Sequence, residues 1–203
     1  MQAQQVINFY SHLSQATGWC SNFYPASIKL TFRGRTIYFE TSEHVYQVHK
    51  FLVYPKKLAK ETQQYINIIA HVKTPGAAAA LGRQTANTPG VRNPHQIPEF
   101  HEGLSDEVVK IIKGLTLSEI IDLYQKIGIS QRADWEKVKD DVMRNVVRIK
   151  FKQNPELAQK LSATGSSVLV EHTKNDKYWG DGGDGTGKNM LGKILMEIRD
   201  HKN

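Results

Sequence analysis

Apolar and polar residues alternate from Ile28, with Ile28, Leu30 and Phe32 on one side. Arg33-Gly34-Arg35 then supplies a turn, and Thr36 to Phe39 return. A period of two on both sides of a short turn predicts a β-hairpin. The period changes at TSEHVYQVHKF, where Thr41 or Ser42 can cap a helix and Glu43 falls in its first turn, the position favoured by the helix dipole. Thr74-Pro75 opens another helix over AAAALG, with Gly82 weakening its far end. Residues 85–104 hold three prolines and no period, which predicts a long loop.

Ser105 and Thr116 cap two short amphipathic helices, the second through a capping box closed by Glu119. The clearest helical period follows a cap at Asp134 and places Trp135, Val138, Val142, Val146 and Ile149 on one face. Asn154-Pro155 starts a helix that stops at Thr164-Gly165, SVLVE reads as a strand, and Leu191, Leu195 and Ile198 align on a last helix. The sum is an α+β chain, mostly helical with a small sheet, most simply one domain over residues 1–203.

Composition narrows the class. At 203 residues and 39% hydrophobic, the chain can bury a full core. The opening MQAQQVINFYSHLSQ has neither the basic region nor the apolar run of a signal peptide, and no apolar stretch reaches membrane-spanning length. A cytoplasmic protein is expected, or a nuclear one in a eukaryote, with no membrane partner. The lone Cys20 excludes an internal disulfide and a cysteine-based zinc cluster, and reads as a small buried residue. The histidines show no close ligand spacing, so neither a metal nor a cofactor is expected. A net charge of +7, from 27 Lys and Arg against 20 Asp and Glu, favours an anionic partner such as nucleic acid or a phosphorylated small molecule.

Polar chemistry and aromatic rings coincide in GWCSNFYP (18–25), TSEHVYQ (41–47) and EHTKNDKYWGDGGDG (171–185). The last runs into TGKN, and its glycines match a dinucleotide fingerprint or a phosphate-cradling loop only in part: Asn189 stands where the latter needs Ser or Thr after Lys188. A surface turn before the last helix is the plain alternative. Carboxylates beside aromatic rings suit hydrolysis of a glycosidic bond, whose cationic transition state a carboxylate stabilises while a ring stacks on the leaving base.

Taken together and in order, INFY (7–10), SNFYPASI, TSEHVYQVHKF, ALGR, DWEKVKDDVM, NPEL, LSATG and the run from Leu169 to Arg199 resemble the YbiA-like, or NADAR, family. The resemblance covers about residues 7–84 and 131–200, and an insertion at about 85–130 is atypical of the small bacterial members. It implies a compact α+β domain with N-glycosidase activity that breaks a C1′–N bond next to phosphate. One expected substrate is an ADP-ribosylated nucleobase, with ADP-ribose removed from guanine in nucleic acid or nucleotides. The alternatives are a phosphoribosylated early intermediate of riboflavin synthesis, or a module that binds ADP-ribose without turnover.

On this resemblance Glu43 is the catalytic carboxylate and Trp135 the functional tryptophan, with Asp176 and Asp181 as further catalytic candidates. Asn22, Phe23, Tyr46, Arg83, Arg132, Trp179, Gly180, Gly182, Asp184, Lys188 and Asn189 are the expected substrate-binding positions.

Overall fold

The computed structural model describes residues 4–32, 35–52, 58–86, 93 and 95–201. In chain order the elements are β1 (Val6–Phe9), β2 (Ile28–Phe32), β3 (Arg35–Phe39), α1 (Ser42–Val48), α2 (Ala59–His71), α3 (Pro75–Arg83), α4 (Asp106–Ile112), α5 (Leu117–Lys126), α6 (Trp135–Gln153), α7 (Pro155–Ala163), β4 (Val168–Glu171) and α8 (Met190–Asp200). Short 3₁₀ turns occupy Gly18–Cys20 and His49–Phe51. The class is α+β with helices in the majority, as the patterning predicts. None of the described helices is long and apolar enough to cross a membrane. The expected turn at Arg33 and Gly34 lies outside the described residues, as do residues 87–92 and 94 of the expected 85–104 loop.

The chain divides into two compact units, Met1–Ile28 with Asp140–Asn203, and Lys29–Lys139. In the first, β1 pairs in parallel with β4, in register from Val6 opposite Val168 to Phe9 opposite Glu171. Helix α8 packs on β4, and α7 on α8. The part of α6 in this unit buries Met143, Val146, Val147, Lys150 and Phe151. That face is turned from the expected stripe, of which Val142 and Ile149 are only half-buried. A lysine has taken a core position.

In the second unit α1 packs on α3, α2 and β3, while α3 also receives α2 and α5. Helix α3 can be approached closely because Gly76, Ala77, Ala78, Ala79, Ala80 and Gly82 carry little or no side chain on its buried surface. Its start is as expected, with Thr74 accepting from the Ala77 N–H and Pro75 in the first turn. The capping box of α5 is formed in both directions between Thr116 and Glu119. Ser105 caps α4 through the Val108 N–H.

Helix α2 is not foreshadowed by the sequence pattern. It buries Tyr65, Ile66, Ile68 and Ile69, each such side chain stabilising the unit by about 1.5–3 kcal/mol. The Tyr65 hydroxyl donates to the Leu81 carbonyl at 2.8 Å, tying α2 to α3. Part of the expected 85–104 loop is ordered against the end of α2. Val72 and Phe100 form an antiparallel bridge, and the His101 N–H donates to the His71 carbonyl at 2.7 Å.

Candidate active site

Within the Lys29–Lys139 unit, α1 carries a carboxylate, an amide and an amine on one face, at Glu43, Gln47 and Lys50. Positions three and four apart share a helix face, and the 3₁₀ turn at His49–Phe51 continues it. The N-terminus of α1 is anchored by His44. Its Nε2 lies 2.8 Å from the Val72 carbonyl, which can only accept, so Nε2 bears the proton. Nδ1 therefore accepts from the Thr41 hydroxyl at 2.8 Å, and the same Thr41 oxygen accepts from the His44 backbone N–H. Burial lowers the His44 pKa to about 4, so the ring is neutral near pH 7.

In the first turn of this helix Glu43 is 5% exposed, and its Oε1 accepts from Gln47 Nε2 at 2.6 Å. Lys50 is buried to the same degree. Its Nζ lies 5.9 Å from the centre of the Tyr46 ring and 5.4 Å from that of Trp135. Those two rings meet at 5.0 Å, tilted by 60°. Burial brings the Lys50 pKa down to about 8, with Glu43 opposing the fall and Arg83 adding to it. The pair of rings around a buried cation is a cation–π cluster.

Arg132 joins this group through its backbone, its N–H donating to the Lys50 carbonyl at 2.8 Å. Its guanidinium grips both oxygens of Asp134 at the head of α6, which holds the Asp134 carboxyl below the usual range. Of the expected residues, Glu43, Tyr46, Trp135 and Arg132 thus come together, and Arg83, exposed at the end of α3, acts on Lys50 by its charge. Gln47 and Lys50 were not foreseen. Their signal was present, since both lie on the Glu43 face of a helix whose start was legible.

Within the other unit, residues 172–189 connect β4 to α8 as a loop stitched to itself. Asp181 is its hub: Oδ1 accepts from the Thr173 and Gly183 N–H groups at 3.1 and 2.8 Å, and Oδ2 from His172 Nδ1 at 2.8 Å. The bond from His172, together with those backbone donors, pulls the Asp181 pKa down. Asp176 Oδ1 accepts from the Tyr178 and Trp179 N–H groups, both at 2.7 Å. Asp184 accepts from the Thr186 hydroxyl and N–H, which lowers its pKa. All three aspartates hold turns.

Gly180 is obligatory in this loop, because a β-carbon there would lie 2.6 Å from Thr173 Cγ2 and 2.8 Å from the Glu171 carbonyl. Gly182 has φ +77°, which a side chain would strain. Asn189, at φ +50°, accepts from the Glu171 N–H at 2.9 Å and donates to the Leu169 carbonyl at 2.8 Å, locking the loop to the edge of β4. Lys188 sits 4.8 Å from the centre of the Tyr178 ring, whose hydroxyl donates to Asp140. Trp179 meets Tyr178 edge-on at 5.2 Å.

Asn22 and Phe23 lie on a separate turn of the same unit. Asn22 is buried with Nδ2 3.1 Å from Met143 Sδ, and Phe23 packs by His12. The turn is fastened by Lys150, 1% exposed, which donates to the Trp19 and Ser21 carbonyls at 2.8 Å each. Burial lowers the Lys150 pKa to about 7 and raises that of the adjacent Cys20 thiol to about 12. Cys20 is therefore an inert buried thiol, as its sequence context suggests.

The NADAR domain model matches residues 8–201. The N-glycosidase YbiA of Escherichia coli strain K12 is 36% identical over 195 residues, covering 96% of this chain and 87% of that protein. A chloroplastic riboflavin biosynthesis protein of Zea mays, PYRR, is 31% identical over 195 residues, 96% of this chain but 25% of its own length. The solution NMR structure of Escherichia coli YbiA aligns with a TM-score of 0.61 at 34% identity, covering 98% of this chain and 86% of that one.

Proposed function

Since this chain belongs to the NADAR family and is an N-glycosidase, a hydrolase, we propose that it cleaves the C1′–N bond of an ADP-ribosylated nucleobase, releasing ADP-ribose from guanine in nucleic acid or nucleotides. The observation that carries the site assignment is the buried Glu43 carboxylate, held by Gln47 and set beside Lys50, Tyr46 and Trp135. As the C1′–N bond breaks, positive charge grows on the sugar, and Glu43 stabilises it or draws a proton from the attacking water. Water supplies hydroxide to C1′ and the leaving nitrogen gains a proton. Lys50, with its pKa near 8, is an acid of suitable strength for that transfer.

The buried Tyr46 and Trp135 rings are the aromatic wall assigned in this reading to the base or sugar. Asp176, Asp181 and Asp184 serve by shaping the loop that carries Trp179, Lys188 and Asn189. The net charge of +7 supports a polyanionic substrate such as nucleic acid. A second reading, cleavage of a phosphoribosylamino-pyrimidine on the way to riboflavin, is favoured by the likeness to the maize riboflavin biosynthesis protein across nearly the whole chain.

Offering the purified protein both ADP-ribosylated guanosine DNA and the phosphoribosylamino-pyrimidine separates the two readings. Release of free ADP-ribose and intact guanine from the first, with slower turnover of the second, is expected. Turnover of the pyrimidine alone assigns the riboflavin reaction, and binding without turnover of either overturns the substrate assignment.

A further inference from the structure

Gln47 is 1% exposed, yet among the described residues its Oε1 has no hydrogen-bond partner. A buried acceptor left unpaired costs stability, so its persistence calls for a reason. The reason lies at the other end of the amide. Nε2 donates to Glu43 Oε1 at 2.6 Å, and turning the amide over would set oxygen against oxygen unless Glu43 carried a proton.

The neighbouring helix completes the arrangement. Gln47 lies over Gly82 of α3, where an added β-carbon would collide with Oε1 and come within 2.6 Å of the Gln47 Cβ and Cδ. The side chain is clamped against backbone, and Oε1 faces the Gly82 Cα, where only a weak C–H···O contact is available. Rotation of the amide would replace one unpaired acceptor by two unpaired N–H donors at the same place.

We propose that Gln47, seated on Gly82, is a positioning residue that keeps the Glu43 carboxylate ionised and fixes its rotamer. The inference rests on the reading of Glu43 as the catalytic carboxylate. An amide that can donate to a carboxylate but is penalised for accepting from a carboxylic acid lowers the proton affinity of its partner. Glycine at position 82 thus has a functional reason, because alanine would dislodge the amide.

The test compares the parent with Q47E, Q47M and G82A, using ADP-ribosylated guanosine as substrate and following the Glu43 carboxyl by NMR of ¹³C-labelled glutamate, assigned by its loss in E43Q. In Q47E two carboxyls share one site, so the acid limb of the pH–rate profile moves up by about one unit or more. Q47M lowers kcat about ten-fold with KM little changed and raises the Glu43 pKa. G82A moves both readouts the same way. Thermal melts identify any variant that has failed to fold, and the NMR titration of a folded variant needs no turnover.

If E43Q retains the parental rate, the catalytic reading of Glu43 fails. If E43Q is inactive while folded Q47E and Q47M titrate and turn over like the parent, the catalytic reading stands and the role given to Gln47 is overturned.

Discussion

Lys50 and Trp135 meet across the Lys29–Lys139 unit, with the lysine Nζ 5.4 Å from the indole centre and the Tyr46 ring against the same indole at 5.0 Å. The indole is therefore held on one side by a cation and on another by a phenol, which fixes its plane. Removing it with W135A takes away both a stacking face and part of the wall that keeps Lys50 dry. The kcat/KM for a nucleobase substrate should fall roughly ten- to a hundredfold, and W135F should recover part of the loss. Steady-state kinetics on the three proteins decide it, and equal rates for W135A and the parent would remove Trp135 from the site.

With Lys50 as the proton donor, the reaction is expected to have an alkaline limb. The Lys50 pKa of about 8 means the ammonium form is lost as the pH rises through that value. If the ammonium protonates the leaving group, kcat falls above about pH 8, and K50M loses both rate and limb. A pH–rate profile that stays flat to pH 9.5 would rule out this use of Lys50.

Lys150 links stability to pH in an unusual direction. Its folded pKa of about 7 lies below the ordinary 10.5, so above pH 7 the unfolded chain binds more protons than the folded one. Stability accordingly rises between pH 7 and 9, by on the order of 1–3 kcal/mol. Lys50 adds to the upper part of this window. Above pH 9 the gain is opposed by Cys20, whose thiol stays protonated in the fold to about pH 12. Thermal melts from pH 6.5 to 9 should show a rising midpoint in the parent and a clearly smaller rise in K150M.

On the acid side His44 shows the largest fall among the histidines, and His49 shifts the same way. The folded His44 pKa of about 4 against an ordinary 6.5 means the unfolded state takes up a proton first as the pH falls, and stability drops through that interval. The loss is at most about 3 kcal/mol. Denaturant unfolding at pH 7, 5.5 and 4 should show this loss in the parent and a shallower one in H44Q, which cannot charge. Equal slopes in the two proteins would contradict the assignment.

Asp181 holds two backbone N–H groups and a histidine. D181A leaves the Thr173 and Gly183 donors without their carboxylate, at a cost of about 1–3 kcal/mol. Faster amide hydrogen exchange at Thr173 and Gly183 is expected, while D181N, which keeps the Oδ1 acceptor that both N–H groups share, should protect both.

Much of the architecture is legible in the sequence because it is written locally. Thr74-Pro75, Ser105, Thr116 with Glu119, and Asn154-Pro155 each mark a helix start by chemistry confined to one turn, and each start is found where the pattern places it. Elements lacking such signals escape notice. Helix α2 follows Leu58, which makes no side-chain cap, and begins with the polar run AKETQQ, so its buried residues crowd into its second half. Strand β1 is four residues long and takes its identity from β4, far away in the chain.

The site divides in the same way. Glu43 and Trp135 are recognisable by their motifs, and the structure sets both around Lys50. Lys50 and Lys150 could not, because any hydropathy pattern assigns lysine to solvent, and only a carbonyl pair or a ring pair at the right place makes its burial tolerable. Gln47 was hidden for a related reason. Its significance depends on Gly82, which the sequence offers only as a weak spot in a helix.

The loop from 172 to 189 looks slack on paper, with its many glycines, but it is closed by its own hydrogen bonds. Asp176, Asp181, Asp184 and Asn189 each hold backbone in place, and Gly180 is hemmed in by neighbours. Its conformational entropy has already been given up in folding. A ligand that met this surface would have little left to immobilise, so affinity there would track shape and charge with only a small ordering penalty, and any choice between ligands would be exercised by mismatch.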